Sequence, residues 1–183
     1  MRYAAFLRGI NVGGNVPVKM EELRLAFISM GFQEVATLLN SGNVVFEASE
    51  DDPAGLSRRI EATLKESFGR AIPIILRSAD MLRALIDAEP FAGITVTPET
   101  RLYVTLQGGL PAEWRTGALS IPYTSADGNV RVLREADGAI CSAIILSPQQ
   151  GTLDLMKLLE DAYGKNVTTR NWNTIGKVAR RMW

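Results

Sequence analysis

Several residue types are missing or scarce in this chain of 183 residues. It contains no histidine, which excludes a Ser-His-Asp or Cys-His nucleophile, an imidazole general base and a histidine-ligated metal. Its single cysteine, Cys141, excludes an intramolecular disulfide and a cysteine-rich zinc or iron–sulfur site. No apolar run approaches the ~18 residues of a membrane span. We therefore expect no metal, no cofactor and no membrane segment.

Net charge is also missing, because 20 Lys and Arg residues balance 20 Asp and Glu residues. Sequence-independent binding to nucleic acid draws on many phosphate contacts, so this balance argues against a nucleic-acid partner. One region departs from it, since no acid follows Asp161 while five basic residues do: Lys165, Arg170, Lys177, Arg180 and Arg181. A basic end of this kind is commonly a solvated helix face.

The residues that are present suit a protein with a buried core. Hydrophobic residues make up 46% of the chain and charged residues 22%, as in a soluble globular protein of one large or two small domains. The N-terminal segment is too short in its apolar part and too rich in glycine for a signal peptide. We expect a cytoplasmic protein, and the sequence does not indicate its oligomeric state.

The first 77 residues predict the order βαββαβ, which is that of a ferredoxin-like unit. Hydrophobic periodicity and turn residues place the strands at 3–8, 34–39, 43–47 and 72–77, and the helices at 20–30 and 53–68. Asp52 and Pro53 are typical of a helix start, and Gly31 and Gly69 are typical of helix ends.

The remaining chain predicts a similar order, less regularly. Ser78 can cap a helix over 79–88, and a connecting stretch without period follows, so 78–100 is assigned as a helix and linker. Residues 101–183 predict a second ferredoxin-like unit with a C-terminal helix, whose strands fall at 102–107, 130–135, 139–146 and 167–169. Residues 121–124 fit only as an extra edge strand. The predicted fold is α+β, with two ferredoxin-like units.

The first candidate motif is a glycine-rich loop between the first strand and the first helix. Such loops let backbone N–H groups converge on an anion, and Arg8 and Lys19 flank this one. Its spacing matches no nucleotide-binding fingerprint, so a loop that merely needs positive φ is the competing interpretation. The candidate ligand-binding residues of this motif are Arg8, Gly9, Asn11, Gly13, Gly14 and Lys19.

The second and third candidate motifs are also polar. The second is a tight-turn sequence, which hairpin formation alone explains unless its side chains face another polar loop; its candidates are Asn40, Ser41, Gly42 and Asn43. The third enters the final helix, where a helix N-terminus favours anions and Trp172 either packs in the core or stacks on a ligand. Its candidates are Thr169, Arg170, Asn171, Trp172, Asn173 and Lys177.

The three motifs, in this order, resemble the bacterial family catalogued as domain of unknown function 1697. They are Phe6-Leu7-Arg8-Gly9-Ile10-Asn11-Val12-Gly13-Gly14, Asn40-Ser41-Gly42-Asn43-Val44-Val45-Phe46 and Thr168-Thr169-Arg170-Asn171-Trp172-Asn173-Thr174. The resemblance extends over essentially the whole chain and implies two ferredoxin-like units. It implies no activity.

Three functional hypotheses follow. The leading one is a polar pocket between the two units that binds a small anionic ligand, phosphate-bearing or nucleotide-like. The second is a histidine-free enzyme acting on such a ligand, with Lys19 or Lys177 as its base. The third is a module that interacts with RNA or protein. Ferredoxin-like sheets can present aromatics for base stacking, but the strand aromatics Tyr3, Phe46 and Tyr103 are scattered and each can belong to the core.

Overall fold

A computed structural model describes residues 1–11, 17–146 and 152–183 of this protein, the side chains of 152–154 excepted. The fold is mixed α/β, with two antiparallel sheets and five α-helices in the described residues. The chain divides into two compact units, one formed by residues 1–83 and 177–183 and the other by residues 84–176. The domain boundaries at 77 and 101 remain predictions from sequence.

The first unit contains a four-stranded sheet and two helices that pack on it. The elements are β1 (Arg2–Leu7), α1 (Met20–Ser29), β2 (Gln33–Leu38), β3 (Asn43–Glu47), α2 (Pro53–Phe68) and β4 (Ile74–Ser78). The strand order is β2-β3-β1-β4, and every neighbouring pair is antiparallel. One face of the sheet shares a core with the apolar sides of α1 and α2, where the rings of Phe27, Phe32 and Phe46 pack together.

The predicted helix signals of the first unit act as expected. The Asp52 carboxylate accepts a hydrogen bond from the backbone N–H of Gly55 at 3.0 Å, and Pro53 is the first helical residue of α2. Gly69 ends that helix in the left-handed conformation, at φ 68°. The turn between β2 and β3 also lies where the sequence predicts it.

The second unit contains a five-stranded sheet in the order β6-β7-β8-β5-β9. Its elements include β5 (Thr100–Gln107), β6 (Tyr123–Thr124), β7 (Val130–Ala136), β8 (Ala139–Ile145), α4 (Thr152–Tyr163) and β9 (Val167–Asn171). Between β5 and β6 the chain forms only a 3₁₀ turn, Pro111–Glu113. Helix α4 packs on this sheet, where its Leu155, Leu159 and Tyr163 join the core.

Two further helices, α3 (Ala79–Asp87) and α5 (Trp172–Met182), follow β4 and β9 directly. The extra edge strand predicted around 121–124 is present as β6, which pairs with β7. The last strand is longer than predicted, because its backbone continues to pair with β5 through Tyr103↔Asn171. Arg170 and Asn171 consequently lie in a strand and not in a loop. Among the described residues, every helix is too short or too polar to cross a membrane.

Candidate functional site

The first two motifs meet at one end of the first sheet, and Asn11 joins them. Its side-chain amide donates to the Asn40 carbonyl at 2.8 Å and to the Val18 carbonyl at 3.1 Å. Its side-chain oxygen accepts from the Val18 N–H at 2.7 Å. The Asn11 side chain therefore holds the start of the glycine-rich loop, its end and the hairpin turn together.

Backbone contacts strengthen the same junction. The Leu7 N–H donates to the Gly42 carbonyl at 2.9 Å, and Phe6 pairs with Asn43 across the sheet. Gly42 has φ 71°, and a Cβ built there would lie 2.3 Å from Ile10 Cδ1 and 3.0 Å from Leu7 Cβ. Glycine at position 42 is thus required both by conformation and by close packing.

The polar residues of the second motif make hydrogen bonds within their own hairpin. Asn43 is fully buried, and its side-chain amide donates to the Leu38 carbonyl at 2.8 Å and to Ser41 Oγ at 3.0 Å. These bonds give Asn43 and Ser41 a structural role in the turn. Whether they also contact a ligand stays a prediction.

Three cationic side chains belong to segments at this end of the sheet. Arg8 is half-buried directly after β1, and its backbone N–H donates to the Pro73 carbonyl at 2.9 Å. Lys19, exposed before α1, forms an ion pair with Glu22 at 3.2 Å. Arg70, which the sequence analysis did not single out, lies in the segment that leads to β4. Its Nη2 atom is buried and has no hydrogen-bond partner within the described chain.

Gly13 and Gly14, the remaining candidates of the first motif, lie outside the described residues. Gly9 is exposed with φ 61°, and a side chain there would meet no atom within 4 Å. Among the described residues, the backbone at Gly9 is therefore open on the side where a Cβ would project.

The third motif lies in the second unit, and its arginine is buried. Arg170 is 8% exposed, and its Nη1 donates to Thr168 Oγ1 at 2.7 Å and to the Thr169 carbonyl at 3.0 Å. Thr169 Oγ1 lies 2.8 Å from Thr105 Oγ1 on the neighbouring strand. Burial lowers the pKa of the Arg170 guanidinium to about 10, because the charged form loses solvation.

The rest of the third motif forms the start of α5. Asn171 Oδ1 accepts from the Asn173 N–H at 2.9 Å, which confirms Asn171 as the cap of this helix. Asn173 and Lys177 are exposed, as predicted for the polar face. Trp172 is half-buried, and its ring contacts Phe91 in an edge-to-face arrangement with centroids 5.1 Å apart.

A second buried arginine escaped the sequence analysis. Arg77 is 3% exposed in β4, its Nη1 donates to the Leu76 carbonyl at 2.8 Å, and burial lowers its pKa to about 10. Like Arg170, it is the next-to-last residue of a strand that runs directly into a helix. The only sequence signal for Arg77 was its position in the apolar stretch 74–77, which predicts a strand. A strand prediction does not indicate on which face of the sheet the arginine side chain lies.

These motifs can now be compared with known proteins. The family model described as "Protein of unknown function (DUF1697)" matches residues 1–133. The chain belongs to this family. That match includes both motifs of the first unit and confirms the resemblance inferred from sequence, while the family description assigns no activity.

A solved structure extends the likeness to the whole fold. The conserved bacterial protein SP0830 from Streptococcus pneumoniae superposes with a TM-score of 0.74 at 23% sequence identity, over 100% of this chain and 98% of that one. At this identity the likeness concerns the fold alone. A search of curated proteins found no match.

Proposed function

We propose that this protein binds a small anionic ligand, phosphate-bearing or nucleotide-like, at the joined loops of its first unit. The observation that carries the proposal is the Asn11 side chain, which holds both motif loops at the end of the sheet where Arg8 emerges. A turn sequence alone does not require such a junction. A ligand-binding loop does, because its backbone N–H groups must be fixed before they can converge on an anion.

The charge of these loops supports an anion. Residues 8–19 contain Arg8 and Lys19, and neither this segment nor residues 40–43 contains an acid. Arg70 adds a buried guanidinium N–H without a described acceptor, which an anionic oxygen would satisfy. Two carboxylates oppose binding at this end of the sheet. Glu22 forms a weak ion pair with the exposed Lys19, and Glu61 accepts a hydrogen bond from the Ile74 N–H at 2.9 Å.

The third motif supports a second anionic contact, in the other unit. Arg170 is a buried cation beside the Thr168 and Thr169 hydroxyls, and it lies directly before the capped N-terminus of α5. That all three motifs converge on one ligand stays a prediction from sequence.

The strand order also supports a finer description of the fold. A βαββαβ chain with the order β2-β3-β1-β4 has the arrangement expected of a ferredoxin-like unit. We propose this description for the first unit. The second unit departs from it, because its first helix is replaced by the 3₁₀ turn and β6 is added.

The described residues favour neither alternative hypothesis. Lys19 and Lys177, the bases suggested for an enzyme, are both exposed, and Lys19 is paired with Glu22. Of the three aromatics weighed for base stacking, Tyr3 and Phe46 are buried at 1% and 0% exposure and stack on each other, while Tyr103 is half-buried and packs against the core of the second unit. Neither of the two buried rings can accept a base from solvent.

The proposal is tested by NMR titration of the ¹⁵N-labelled protein with inorganic pyrophosphate and with a mononucleotide. We expect saturable shifts at the amides of Gly9, Asn11, Ser41 and Gly42. Arg8→Gln should weaken binding at least tenfold, because a hydrogen bond to a charged group contributes about 1.5–3 kcal/mol.

Arg58→Gln is the matched control, since Arg58 is exposed on α2 and distant in sequence from these loops. It should change the affinity less than twofold. The proposal is wrong if neither probe saturates by about 10 mM, which corresponds to less than about 3 kcal/mol of binding free energy. Equal losses in the Arg8 and Arg58 variants would also contradict it, by showing a nonspecific charge effect.

A further inference from the structure

The second unit contains a pocket that the anion proposal does not use. It has a volume of about 300 Å³ and is lined by Ile86, Glu89, Pro90, Phe91, Ala92 and Trp172. This volume is at the lower end of the range for small-molecule sites, so it suits a ligand of a few heavy atoms. Except for Trp172, the lining comes from the end of α3 and the segment after it, which the sequence presented only as a linker.

Two aromatic rings form the walls of this pocket. The Phe91 and Trp172 centroids are 5.1 Å apart and the ring planes are inclined at 63°, so the rings stand at a steep angle to each other. Both side chains are half-buried and keep part of their surface toward the pocket. Aromatic faces carry partial negative charge, and they attract cations that approach within about 6 Å of the ring centre.

A carboxylate supplies the only formal charge in the lining. Glu89 is exposed, and its carboxylate has neither an ion pair nor a hydrogen bond to any described residue. Arg134 donates from Nη1 to the carbonyl of Ala88, the residue before Glu89, at 3.3 Å, and Arg134 does not line the pocket. The described lining therefore combines one carboxylate with two aromatic rings and contains no cationic side chain.

We propose that this pocket binds a small organic cation, an alkylated ammonium group. The methyl groups of such a cation are apolar enough to contact Phe91, Trp172 and Ile86, while its charge is attracted by the rings and by Glu89. An anion would be repelled by Glu89. A neutral apolar ligand would be bound only through the burial of its apolar surface. It would not be attracted electrostatically by the Glu89 carboxylate.

The test compares choline with 3,3-dimethylbutan-1-ol, which has the same shape but a carbon atom in place of the charged nitrogen. Binding to the full chain is followed by tryptophan fluorescence and by calorimetry. We expect saturable choline binding that is about three- to thirtyfold tighter than that of the neutral isostere, which is the range of cation–π contributions.

Single substitutions test whether choline binds in this pocket. Glu89→Gln and Trp172→Leu should each weaken choline binding at least threefold, and circular dichroism verifies that each variant is folded. Glu66→Gln removes a carboxylate from the exposed side of α2 and should leave the affinity unchanged. Equal affinity for choline and the isostere, or wild-type affinity in Glu89→Gln, would overturn the proposal, as would the absence of saturable choline binding.

Discussion

Asn11 shows how one residue gives two sequence motifs a common structure. Its φ of 55° lies in the left-handed region, which asparagine tolerates better than most residues. In this conformation its side chain contacts Val18 and Asn40, 7 and 29 positions away along the chain. The second motif, whose composition is that of a tight turn, is therefore also held in place by a contact with the first motif.

Substituting Gly42 should lower the free energy of unfolding for two separate reasons. Gly42→Ala should destabilise the protein by about 2–4 kcal/mol, because the left-handed backbone and the clash with Ile10 and Leu7 add. Gly69→Ala, at φ 68° with nothing within 4 Å, should cost only the backbone part, about 1–2 kcal/mol. Urea unfolding measures both.

Adding Ile10→Val to Gly42→Ala removes the Cδ1 atom that the new methyl group would meet. We expect this double variant to recover part of the lost stability. Equal losses for Gly42→Ala and Gly69→Ala would show that packing against Ile10 contributes nothing.

Cys141 is a free, buried thiol. It is 1% exposed in β8, and burial raises the pKa of its thiol to about 12, with a smaller opposing effect of Arg134. The thiolate is the reactive form, so at about pH 8 the native protein should not react with a thiol reagent such as DTNB. Unfolding in urea should release one reactive thiol, whereas rapid reaction of the folded protein would contradict this.

At the scale of elements, the two units share one kind of junction. Strand β4 ends in Arg77 and Ser78 before α3, and β9 ends in Arg170 and Asn171 before α5. In each case the second residue caps the helix: Ser78 Oγ accepts a hydrogen bond from the Met81 N–H at 3.3 Å, and Asn171 Oδ1 accepts one from the Asn173 N–H at 2.9 Å. Each arginine donates to the carbonyl of the residue before it. This repeated strand–helix junction places one buried cation in each unit.

The cap of α2 gives a prediction for a single element. Asp52→Ala should reduce the free energy of unfolding by about 0.5–2 kcal/mol, because it removes the hydrogen bond to the Gly55 N–H. Glu66→Ala is the matched control, since it removes one exposed carboxylate from the same helix without touching its first turn. Chemical denaturation should give a lower free energy of unfolding for Asp52→Ala than for Glu66→Ala. Equal free energies of unfolding would show that the cap contributes little.

At the scale of the whole molecule, alkaline pH should destabilise both units. Burial raises the pKa of Tyr3 in the first unit, and it raises the pKa of Tyr163 in the second unit together with the 2.6 Å hydrogen bond from its hydroxyl to Glu135. A raised pKa means that each tyrosine hydroxyl keeps its proton to a higher pH in the folded state than in the unfolded state. Stability is therefore complete below the unfolded tyrosine pKa of about 10 and falls as the pH rises above it.

Replacing each tyrosine by phenylalanine should remove that tyrosine's contribution to the loss of folding stability at alkaline pH. Between about pH 9 and pH 11, urea midpoints of Tyr163→Phe and Tyr3→Phe should fall less steeply than those of the wild type. A wild-type slope in the double variant would show that other groups govern alkaline unfolding.

Much of the fold was predictable because its signals are local. The helix limits at Asp52 and Gly69 and the hairpin at Gly42 follow from residues that act on their immediate neighbours. The last residue of β9 could not be predicted from the sequence. Its extension to Asn171 depends on pairing with Tyr103, which is 68 positions away.

The absence of histidine chemistry, the strand and helix order of the first unit, and the family of the chain could all be inferred from the amino-acid sequence. Composition, short-range periodicity and local motifs carry this information, and they do not depend on distant contacts. Three features became visible in the folded chain alone: Asn11 joins two motifs, Arg77 and Arg170 are buried, and Phe91 and Trp172 line one pocket with Glu89. The physical reason is that burial and charge complementarity arise from residues far apart in the chain, and local propensity says nothing about which of them meet.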